Sequence, residues 1–102
     1  MESLFNSIEE IEETTVLDEV HVGDKSELIV YNDDYNTFDW VIKCFMEVCD
    51  HTFEQSEQLS LIVHFKGKAV VKTGPFEKLK PMKDALIDRG LSAVIESYTE
   101  KY

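Results

Sequence analysis

The 102 residues of this chain predict an α+β domain, three antiparallel strands with three helices packed on one side, in the order β-α-α-β-α-β. Three observations carry that expectation. A short β-rich run at 27–31 stops abruptly at Asn32, Asp33 and Asp34. Six apolar residues between Phe38 and Cys49 recur at helical spacing. Beyond them, helical and β-rich segments are punctuated by Gly67, Gly74 with Pro75, and Gly90.

The first strand, 27–31, ends in strong turn chemistry, because Asn and Asp side chains satisfy their own backbone two residues on. Asn36 or Thr37 then caps a helix, with Asp39 in its first turn favoured by the helix dipole. Phe38, Val41, Ile42, Phe45, Val48 and Cys49 fall at i, i+3, i+4, i+7, i+10 and i+11, one apolar face. Thr52 with Gln55 forms a capping box for a second helix, its inner positions expected at Phe53, Leu59, Ile62 and Val63 and its end at Gly67. Residues 68–72 read as a second strand, closed by Thr73, Gly74 and Pro75. A third helix falls within 77–89. Proline removes an amide donor and crowds the preceding turn, so its regular part is expected to start near Pro81 and to end at Gly90. Residues 91–96 make the last strand.

The domain is expected to span 26–102. Residues 1–25 hold eight acidic side chains and one lysine, and read as a mostly disordered acidic extension. The whole chain carries a net charge of −11. That balance argues against nucleic acid and against an anionic membrane surface, both of which recruit cations. No apolar run approaches a bilayer span, and the N-terminus lacks the basic region of a secretory signal, so the expected location is cytoplasmic. Cys44 and Cys49, five apart on one helix, are poorly placed for a disulfide and read as small apolar residues suited to a reducing compartment.

Chemistry-bearing patterns are sparse. There is no G-x-S-x-G elbow, no glycine-rich phosphate loop, and no metal spacing among His21, His51 and His64. A metal-dependent hydrolase would have to use Asp33, Asp34 and His64. Taken singly, the Asn-Asp-Asp run reads more readily as a turn than as a site, and His64 as a helix end favoured by the dipole.

Together these residues read differently. N-D-D-Y-N-T-F-D-W-V-I, followed without gaps in spacing by Q-L-S-L-I-V-H-F-K-G-K-A, closely resembles the ClpS family, adaptors of the Clp protease that recognise N-degrons. The family's blocks are N-D-D-Y-T-P-M-E-F-V-I and Q-L-M-L-x-V-H-x-x-G-x-A. The likeness runs from about Glu27 to Ala69, thins after Gly74 and resumes weakly at 91–96. It implies a binding module with no catalytic residues and no cofactor. Its partners would be substrate proteins with a large hydrophobic first residue (Phe, Tyr, Trp or Leu) and a Clp AAA+ unfoldase.

The resemblance implies roles by position. Asn32, Asp33 and His64 would accept hydrogen bonds from a substrate α-ammonium, which carries three donors. His64 accepts only with that ring nitrogen unprotonated, so binding should weaken in acid. Asp34 would support the loop. Asn36, Phe38, Val41, Ser60, Val63 and Leu91 would line the side-chain slot. The chain departs from the family at Phe38 and Ser60, where methionine is usual, and at Asn36 and Thr37, where threonine and proline are usual. Ser60 opens one wall while Phe38 fills from the other, so the slot is reshaped rather than lost. Glu77 matches a docking position for the unfoldase, but Met82 stands where its partner lysine belongs, leaving Lys80 and Lys83 as the nearby candidates. A runner-up reading is another protein-interaction module on the same scaffold, similar to the C-terminal domain of the ribosomal stalk protein.

Overall fold

The computed structural model describes residues 25–98. The expected disordered extension lies outside them except for Lys25, and so do residues 99–102. The elements are β1 (Lys25–Tyr31), α1 (Phe38–Cys49), α2 (Phe53–Lys66), β2 (Lys68–Gly74), α3 (Phe76–Asp88) and β3 (Ser92–Tyr98). This is the predicted order and class.

The sheet runs β2-β1-β3, with β1 central and antiparallel to both neighbours. Side chains alternate across the strands. Leu28 and Val30 of β1, Ala69 and Val71 of β2 and Ala93 of β3 face the helices and join the core around Phe45, Leu79 and Leu86. On the other face, Ile29 is only 3% exposed and has Val70 and Val94 as its cross-strand neighbours. Helix α2 packs on β2, α3 packs on β3 and β1, and α1 lies against both helices.

The caps hold. The Thr37 hydroxyl accepts from the Trp40 amide, and Thr52 with Gln55 completes the reciprocal capping box. Gly67 ends α2 in the left-handed region at φ 93°, where a Cβ would be strained. Cys44 and Cys49 are buried, unbridged thiols.

Two expectations require correction. The inner face of α2 is Ser56, Ser60 and Val63, with Leu59 partly buried, whereas Phe53 and Ile62 are exposed. Apolar residues are scattered around this helix, so periodicity gave no direction; the small serines are what let it seat closely against the core. The third helix begins at Phe76, not near Pro81. Leu79, Met82 and Leu86 form one apolar stripe running past the proline and bind the segment to the core. Pro81 and Glu77 are exposed, so the Glu77 carbonyl, which loses its amide partner, stays hydrated. Trp40, off the predicted stripe, is half-buried and its indole N–H donates to the Arg89 carbonyl at 3.0 Å, capping the end of α3.

Candidate functional site: an acceptor-rimmed apolar cavity

The turn after β1 is fixed at three points. The Asn32 amide donates to the Gly67 carbonyl at 2.9 Å, tying the turn to the end of α2. Within the turn, Asp33 Oδ1 accepts from the amides of Tyr35 (2.9 Å) and Asn36 (3.0 Å). The Asn36 side-chain amide donates to Asp33 Oδ2 at 2.9 Å and also to the Gly90 carbonyl at 2.9 Å, tying the turn to the entry of β3. Partial burial raises the Asp33 pKa, but the hydrogen bonds from Asn36 and Tyr35 outweigh it and leave the carboxyl below its ordinary value.

This corrects the expected division of labour between the two carboxylates. The loop is braced by Asp33, while Asp34 is exposed and makes no side-chain hydrogen bond among the described residues. Bracing does not exhaust Asp33. A carboxylate offers about four acceptor positions, and Oδ2 receives only the Asn36 amide. One charged acceptor thus remains, held rigidly.

Because Asn32 is bonded to Gly67, the turn lies beside the last turn of α2, and His64 is carried to the same place. Between them opens a cavity of about 500 Å³ lined by Asn32, Asp33, Asp34, Asn36, Phe38, Val41, Ser60, Leu61, Val63, His64 and Phe65. Its polar groups, Asn32, Asp34 and His64, are exposed, whereas Ser60 and Val63 are 2% and 5% exposed and lie deepest. The arrangement is an apolar slot with acceptors at its mouth.

Nine of the ten residues expected at the amine-binding end and the slot lie on this cavity. Leu91 does not: it is buried in the core beside β3, facing the helices rather than the cavity. Asn36 is present as a strut, with its amide committed to Asp33 and Gly90, rather than as an apolar wall. Leu61 and Phe65 were missed. They flank His64, and the Phe65 ring meets the imidazole edge-on at 4.8 Å between centroids. Their signal was their departure from the assumed inner face of α2. Glu77, Lys80 and Lys83 are on α3 away from the cavity, both lysines paired with Asp84 at 2.8 and 3.1 Å. Among the described residues, no group of three or more His, Cys, Asp or Glu is placed to hold a metal ion, and Asp33, Asp34 and His64 do not form such a cluster. No helix among them is long and apolar enough to cross a membrane.

A half-open apolar slot with acceptors at its rim, Asp33 among them held by the Tyr35 and Asn36 amides, suits binding rather than catalysis. The family model described as "ATP-dependent Clp protease adaptor protein ClpS" matches residues 23–94, and the chain belongs to that family. It is 36% identical over 66 residues to the ClpS adapter of Thermosynechococcus vestitus, covering 64% of this chain and 70% of that one. It is 31% identical over 91 residues to the ClpS adapter of Streptomyces avermitilis, covering 85% and 87%. Its fold is similar to that of Agrobacterium tumefaciens ClpS2 bound to L-phenylalaninamide, with a TM-score of 0.64 at 21% identity over 74% of this chain and 98% of the other. The chain is therefore an adaptor of the ATP-dependent Clp protease and not an enzyme.

Proposed function

We propose that this adaptor binds protein N-termini bearing Phe, Tyr, Trp or Leu and delivers them to a Clp AAA+ unfoldase. The observation that carries the reading is the juxtaposition, in one cavity, of the fixed Asn32–Asp33 turn and His64 with the slot lined by Phe38, Val41, Ser60 and Val63. An α-ammonium has three donors and no acceptor, which suits the Asn32 side-chain oxygen, Asp33 Oδ2 and an imidazole nitrogen of His64. Asp34 contributes negative charge at the mouth. The A. tumefaciens ClpS2 structure, with phenylalaninamide bound, supports a ligand that combines an amine with an aromatic side chain.

Burying a Phe or Leu side chain in the slot contributes about 1.5–3 kcal/mol. Fluorescence anisotropy with labelled peptides that differ only in the first residue tests the reading. Peptides starting with Phe, Tyr, Trp or Leu should bind at least about tenfold more tightly than one starting with Ala. Equal affinity for all first residues would refute it.

Delivery would use the exposed surface of α3 near Glu77, Lys80 and Lys83. Along the helix axis Glu77 lies roughly 20 Å, and Lys83 roughly 10 Å, from Gly90, where the helix meets the site. Glu77→Lys should then impair unfoldase-dependent degradation and leave peptide affinity unchanged.

A further inference from the structure

We propose that the Ser60 hydroxyl makes the floor of the slot a reader of polar ring tips, so that an N-terminal tyrosine is taken in preference to phenylalanine. The inference rests on the N-terminal reading above and adds a discrimination within it. Ser60 is 2% exposed, lines the cavity, and its Oγ has no hydrogen-bond partner among the described residues. A buried hydroxyl without a partner is uncommon and costly. Ser56, one turn earlier on the same face, is also buried and unpartnered among the described residues, but only Ser60 lines the cavity.

Placement supplies the ligand group. Ser60 precedes His64 by four residues on α2, about 6 Å along the helix axis. That is the order of length separating a backbone amine from the far end of an aromatic side chain. With the amine held at the exposed rim by Asp33 and His64, a ring entering between Phe38, Val41 and Val63 points its para position toward Ser60. Serine and phenol hydroxyls each donate and accept, and rotation about χ1 alone re-aims Oγ, so the bond forms in either sense.

Phenylalanine buries the same ring but closes the slot over an unpaired hydroxyl. A site with a buried polar group rejects the ligand lacking its partner more strongly than an apolar pocket rejects an added hydroxyl. The methionine usual at this position in the family offers no such donor.

The test uses the full chain and two peptides identical except for Tyr or Phe at the first position, titrated by anisotropy against wild type and Ser60→Ala. The wild type should bind the Tyr peptide about tenfold more tightly than the Phe peptide. In Ser60→Ala the two should agree within about twofold, and a thermal melt of the variant, run alongside the titration, reports that it is folded. A Tyr-to-Phe ratio that is the same in both proteins, or a wild type that favours Phe, overturns the assignment of Ser60 alone. If neither peptide binds, or acetylated forms bind equally well, the N-terminal reading falls and the Ser60 assignment falls with it.

Discussion

Replacing Asn36 with alanine removes one of the two joints that hold the Asn32–Asp33 turn against the rest of the domain, the one to Gly90. The side-chain amide makes one charge-assisted bond, shared between Asp33 Oδ2 at 2.9 Å and Oδ1 at 3.1 Å, and one neutral bond to the Gly90 carbonyl at 2.9 Å. In a dry interior these would contribute about 1.5–3 and 0.5–1.5 kcal/mol. Both lie at a partly hydrated surface, where water replaces the lost donor, so the expected cost is about 1–2 kcal/mol. In a domain of this size that is a fall in Tm of roughly 5–12 °C. Urea and thermal melts of Asn36→Ala against wild type measure it. Asn36 is not itself an acceptor for the amine, so its effect on a Phe-first peptide acts through the order of the turn and should be a weakening of about tenfold. A variant within 0.3 kcal/mol of wild type, roughly the noise of such melts, with unchanged peptide affinity would refute the claim that this strut organises the site.

Other consequences concern titration and backbone strain. The folded-state pKa of Asp33 is lowered, so its contribution is fully present above the unfolded carboxyl value and is lost as pH falls through the folded one. NMR of the Tyr35 and Asn36 amides should therefore show an intact turn at pH 5 and its release only below about pH 4; release near pH 6 would contradict the hydrogen bonding. Burial pushes the Cys49 thiol up to about 11 and raises Cys44 as well. At neutral pH Cys49 then carries about a hundredth of the ordinary thiolate fraction, and a thiol-specific chromogenic reagent should react promptly only after unfolding. Asp50 ends α1 at φ 60°, the one non-glycine residue in the left-handed region among the described residues. Asp50→Gly relieves that strain against a smaller loss to chain entropy and should stabilise by about 0.5 kcal/mol in urea melts.

The legible parts of the sequence were those where local chemistry and tertiary packing agree. The Asn-Asp-Asp turn, the Thr52–Gln55 capping box and the Gly67 stop all follow from neighbours within a few positions and stand as predicted; the α1 face holds at Ile42, Phe45 and Cys49, while Phe38 is exposed and Cys44, off the predicted stripe, is buried. The inner face of α2 was hidden because its buried positions are serines, whose role is to be small rather than apolar. Local pattern shortens α3, because the penalty of Pro81 is visible in sequence and the long-range pull of Leu79 and Leu86 on the core is not. Within the site, the cavity brings together residues from the turn, α1 and α2 that periodicity alone never relates. What pattern could not resolve was Asp33 against Asp34. Two adjacent carboxylates look alike in sequence, and only the amides of Tyr35 and Asn36 distinguish them.

The measurement that bears most directly on amine recognition is calorimetric titration of wild type with one Phe-first peptide, free and acetylated at its N-terminus. Acetylation removes the charge and two donors while leaving the ring intact, so acceptors at Asn32, Asp33 and His64 should lose at least about a hundredfold in affinity, the equivalent of two charge-assisted bonds at the low end of their range. Binding of the acetylated peptide within threefold of the free one would mean that the cavity reads an apolar side chain alone, and that the turn at Asn32 and Asp33 is a turn and nothing more.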